Sequence, residues 1–147
     1  MYRILAALVL TLAAAASEPG FRAQFVGGTV QGLALKSTAR LYLTNPDTLF
    51  FACRDQIRID YRKVNALEYG QNVSRRYAAA ILISPVLLLS KSRRHYVTIG
   101  YVDAADRQQV LVLRIEKGDI RPVLAALEAR TGRRVEYQDD EARKSGK

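Results

Sequence analysis

Apolar and polar positions along this chain follow two periods in turn. Phe21, Ala23 and Phe25 alternate with Arg22 and Gln24, the period of a half-buried strand. Gly27-Gly28 then predicts a bend or bulge. Ala39 to Leu43, Leu49 to Cys53, Ile57 to Tyr61 and Val64 to Tyr69 read as further short strands, the last ended by Gly70. Asn45-Pro46-Asp47-Thr48 is a type I turn, with asparagine first and proline second. Arg54-Asp55-Gln56 is another turn. His95 to Val102 and Gln109 to Ile115, rich in aromatic and β-branched residues, make two more strands around a turn at Asp103 to Arg107. Short strands at such regular spacing predict an antiparallel barrel or sandwich.

The period changes after Gly118. Ile120, Val123, Leu124 and Leu127 recur at helical spacing and make one apolar face. Asp119 stands at the N-cap, Pro122 in the first turn and Gly132 at the C-cap. Val135 to Tyr137 reads as a short strand. The polar tail, 139–147, is expected to fray. The fold class is therefore mainly β with one C-terminal helix, α+β.

One stretch, 75–94, fits neither period. Tyr77 to Leu89 is a run of 13 residues, nearly all apolar. A helical span needs about 20 residues. Pro85 interrupts the run and pushes Ser84 towards extended geometry. Two arms, 77–83 and 86–89, bent at Ser84-Pro85, are expected. They fit a buried hairpin, a loop dipping into a membrane, or a span. The basic flanks favour anionic lipid, at about 1 kcal/mol per cation. An apolar tip with a basic collar names a candidate membrane or anion contact. Its members are Arg75, Arg76, Leu82, Ile83, Leu87, Leu88, Lys91, Arg93 and Arg94.

The chain has 147 residues, enough for one domain. Residues 1–16 carry one cation, Arg3, then an apolar stretch ending in Ala14-Ala15-Ala16. This is the pattern of a secretory signal peptide; an uncleaved anchor is the alternative. The expectation is export, to the periplasm or the medium, of a domain over 17–138. Cys53 is the one cysteine, so no internal disulfide forms, and it reads as core filling.

Net charge is +9. The cations are spread in groups: Arg58, Arg62 and Lys63; Arg75 and Arg76; Arg130, Arg133 and Arg134. No phosphate loop, zinc-finger spacing or RNA-binding aromatic signature accompanies them, so nucleic acid is not the expected partner. His95, the one histidine, reads as a strand-edge residue. Zinc sites and catalytic triads draw on more than that. Ser90 and Ser92 lack a nucleophile-elbow context, and Asp139-Asp140-Glu141 lacks the spacing of a calcium loop. No enzyme activity, cofactor or metal is expected.

Seven strands followed by one amphipathic helix resemble the layout of pleckstrin-homology-like (PH-like) and GRAM-like domains. Ile57 to Gly70, IRIDYRKVNALEYG, resembles their strand, short turn and strand, with Ile59, Val64 and Leu67 facing inward. The resemblance spans 21–132, with 77–89 as an insert. The leader and the block around His95 also resemble small exported bacterial proteins. The PH-like resemblance implies binding of lipid headgroups, peptides or proteins rather than catalysis. The expected function is an exported, non-catalytic binding or scaffold module, membrane-associated through its hairpin. The alternative is a soluble protein-interaction domain whose hairpin is core or an oligomer contact. The partners implied are an anionic membrane surface, a protein, or a second copy.

Overall fold

A computed structural model describes residues 20–52, 56–73, 76, 82–83 and 94–147. The leader, Cys53 and most of the apolar insert lie outside them. Within them a nine-stranded sheet forms. Its strands are β1 (Phe21–Gly28), β2 (Thr38–Tyr42), β3 (Thr48–Ala52), β4 (Gln56–Asp60), β5 (Val64–Gly70), β6 (Leu82–Ile83), β7 (His95–Val102), β8 (Gln108–Ile115) and β9 (Glu136–Tyr137). The order is β4-β3-β2-β1-β8-β7-β5-β9, with β6 paired to β1 off this path. All pairs are antiparallel except β5 with β9.

The sheet is not closed. β4 and β9 end the ladder, and among the described residues no pairing joins the ends. A single 3-10 turn, Tyr61–Lys63, carries the chain from β4 to β5, capped by Asp60 accepting from the Arg62 N–H at 2.9 Å. β9 then occupies the edge of β5 that closure would use.

Alternation gives the sheet two apolar faces. Leu111, Leu113 and Ile115 of β8 join Val97, Ile99, Leu67, Phe51 and Phe25 in the main core. Their neighbours Val110 and Val112 point the other way and form a second cluster with Val26 and Tyr96. The glycine signal near residue 27 marks a bulge: the β1–β8 register shifts between Phe25 and Gly27. There β1 also changes its other partner. Phe25 still pairs with the chain before β2, through Lys36 N to Phe25 O at 2.8 Å. Gly27 and Gly28 pair instead with Ile83 and Leu82 of β6.

The helix after β8, α1 (Ile120–Thr131), buries Ile120, Val123, Leu124 and Leu127, the expected face, against the main core. Asp119 stands at the N-cap but makes no side-chain capping bond, because a 3-10 turn, Lys117–Asp119, leads directly into the helix. Gly132 ends it at φ +68°, a left-handed conformation that glycine adopts without a Cβ penalty. The tail does not fray as expected. It forms α2 (Asp140–Gly146), capped by Asp139 accepting from the Ala142 N–H at 2.7 Å. Ala142 and Gly146 are buried, and Tyr137 packs on the core beneath them.

Candidate anion-binding groove

Four of the residues expected to contact a membrane fall within the described chain. Leu82 and Ile83 form β6 and lend their backbone to β1. Residues 82–83 are therefore strand rather than helix, because a helix satisfies its backbone internally; the rest of 77–89 lies outside the described residues. Arg76 donates at 3.1 Å to Glu68 Oε2 and at 3.1 Å to Glu136 Oε2. These carboxylates are register partners on β5 and β9. Glu68 is buried and also accepts from Gln138 Nε2 at 2.9 Å. The Arg76 charge is thus committed to two carboxylates at the sheet edge. Arg94 is half-buried at the start of β7, beside Tyr96. Arg75, Leu87, Leu88, Lys91 and Arg93 lie outside the described residues.

Removing Arg76 leaves the buried Glu68 carboxylate with Gln138 alone among these contacts. Truncating one member of a fully buried ion pair costs about 3–5 kcal/mol. The Arg76 side chain is 60% exposed, which screens the pair. We therefore expect Arg76→Ala to lower stability by about 2 kcal/mol in urea unfolding. A change under about 0.5 kcal/mol, the range of an ordinary surface substitution, would show that the bridge is idle.

His95 is more than a strand-edge residue. Tyr69 on β5 is fully buried, and its hydroxyl lies 2.6 Å from His95 Nδ1. The two rings stack at 6.0 Å and 4°. Burial lowers the His95 pKa, with Lys117 adding to the effect, and burial raises that of Tyr69. Both directions fit a neutral imidazole accepting from a protonated phenol. Two carboxylates have lowered pKa values: Asp60, through its bonds from Arg62, and Asp103, which belongs to a turn. The Arg107 backbone N–H leads the bonds that hold it down at about 2, and the Ala105 N–H donates to it at 2.8 Å. Among the described residues no group of three potential ligands could hold a metal, and no helix is long and apolar enough to cross a membrane.

Among the described residues, a further cluster of cations lies elsewhere. α1, the chain through 132–137, and α2 enclose an open groove of about 600 Å³. Arg121, Arg133, Arg134, Arg143 and Lys147 line it, against one carboxylate, Glu128. Glu128 already accepts from the Val135 N–H at 2.8 Å. Arg143 reaches Asp140 at 3.9 Å in an exposed pair. Among the described residues no carboxylate pairs with Arg121, Arg133, Arg134 or Lys147. The floor is apolar, from Leu124, Val135 and Tyr137. Burial raises the Tyr137 pKa, and the Glu128 carboxylate adds to it. Its hydroxyl therefore remains a donor at neutral pH.

No protein-family model matches the chain, and no curated protein matches it. The geometry is accordingly the ground for a functional reading. Sequence had flagged Arg130, Arg133 and Arg134 as one basic group among several. It missed the groove because Arg143 and Lys147 join the others only once α2 docks.

Proposed function

We propose that this protein is an exported, non-catalytic binding module of PH-like architecture that engages an anionic partner through the groove between α1 and α2. One observation carries the reading: five cations with little compensation surround an apolar floor. Arginine is suited to such a site, because its fork matches carboxylate and phosphate geometry. The PH-like part is supported by the strand order, in which β8 returns to pair with β1, and by the helix that follows and covers the core. Export is proposed from the leader pattern alone.

An anionic membrane surface remains the proposed partner, but the contact moves from the insert's collar to the groove. Two observations favour the move. Arg76 is engaged by Glu68 and Glu136, and Leu82-Ile83 are paired in the sheet. Co-sedimentation of residues 17–147 with anionic vesicles across a salt series tests this. Each cation near such a surface contributes about 1 kcal/mol. Arg133→Ala with Arg134→Ala should therefore weaken binding about 30-fold, at 1.4 kcal/mol per tenfold. Lys91→Gln with Arg93→Gln should leave it unchanged. The reverse pattern would return the contact to the insert.

A further inference from the structure

The groove is built for more than diffuse charge. Its volume of about 600 Å³ falls within the range of small-ligand sites, about 300–1,000 Å³. Five cationic side chains line it against one carboxylate side chain, Glu128, which already holds the Val135 N–H. A single carboxylate ligand would leave most of this charge uncompensated, whereas a dianion neutralises more of it. Guanidinium groups bind phosphate oxygens through parallel, charge-assisted bonds. Beneath them, Leu124 and Val135 are buried and Tyr137 is half-buried. Tyr137 and the exposed Ala125 supply the surface suited to an apolar group attached to the anion, which inorganic phosphate alone would leave wet.

We propose that the groove binds a phosphate monoester carrying a flat apolar group: the phosphate among Arg121, Arg133, Arg134, Arg143 and Lys147, and the apolar group on Tyr137 and Ala125. This rests on the reading of the groove as the binding site and names its ligand class. Ala125 on α1 is exposed at the groove wall. It offers a way to fill the space while leaving every charge in place.

Calorimetric titration of the full chain with phenyl phosphate and with inorganic phosphate tests it. Phenyl phosphate binds saturably and more tightly than inorganic phosphate. Arg133→Ala with Arg134→Ala weakens it by at least about tenfold, as expected for losing two charge-assisted contacts. Ala125→Trp weakens phenyl phosphate and leaves the thermal midpoint near wild type. Three results would overturn the proposal: no saturable binding by folded wild-type protein, equal affinity for the two anions, or binding unaffected by both variants. Vesicle binding that still depends on Arg133 and Arg134 would then preserve the wider reading while the ligand class falls.

Discussion

Replacing Tyr69 with alanine should lower stability by about 4 kcal/mol, in the range measured for buried aromatic truncations, and release α2. Tyr69 is 0% exposed and joins four elements. Its hydroxyl meets His95 of β7, and its ring meets the Tyr137 edge at 6.0 Å and 82°. Its carbonyl accepts from the Gln138 N–H at 3.1 Å, just before α2 begins. The alanine variant keeps that backbone bond but loses the ring under Tyr137. Urea unfolding reads the stability, and limited proteolysis reads the exposure of 138–147. Tyr69→Phe, which removes only the hydroxyl, should cost about 1 kcal/mol. A loss under about 1 kcal/mol for Tyr69→Ala would mean that α2 is held by other contacts.

The same pair gives a pH dependence. The folded His95 pKa lies below its ordinary value, so the unfolded chain takes up the proton first. This contribution to stability is present above about pH 6.5, the ordinary histidine value, and is lost as pH falls below it. His95→Gln should flatten that slope.

Gly28→Val should cost about 3 kcal/mol, the upper part of the range for overpacked sites. A Cβ at Gly28 would run into the Val110 carbonyl oxygen and approach Phe25 Cε2 at 3.2 Å. The first obstacle is backbone. Val110 O also accepts from the Thr29 N–H at 3.0 Å, so β8 has little room to retreat. Gly28 pairs with Leu111 on one side and Leu82 on the other. Pushing β1 and β8 apart would therefore loosen β6 as well. Thermal unfolding gives the loss, and amide exchange at Leu82 and Ile83 gives the local effect. Unchanged stability would place the clash in a part of the sheet that yields cheaply.

Much of the sheet was legible because its residues satisfy local and tertiary demands together. Ala23 alternates with Arg22 and Gln24, and Ile59 with Arg58 and Asp60, and both apolar residues end up buried. The Asn45 turn was readable for a similar reason. Its side-chain oxygen accepts from the Asp47 and Thr48 N–H groups, a bond set by local chain geometry. The α1 face and the Gly132 cap obey the same local rules.

What sequence missed depends on contacts distant along the chain. α2 reads Asp-Glu-Ala-Arg-Lys-Ser-Gly, and the only apolar side chain that it buries is Ala142. No periodicity could announce it; Tyr69 and Tyr137 create its dock. β6 is two residues long, and its partner lies more than fifty positions earlier, beyond the reach of any hairpin signal. The charge of Arg76 was visible, but its neutralisation by Glu68 and Glu136 was not, because β9 must first add to β5. The groove combines both gaps: its cations come from α1, the following loop and α2.

Amide hydrogen exchange on residues 17–147, with and without anionic vesicles, locates the contact most directly. Binding through the groove should slow exchange across 121–147 and leave Leu82 and Ile83 at the rates they show without vesicles. Slowing confined to 76–94, with 121–147 unchanged, would place the contact on the insert and contradict the groove as the binding site.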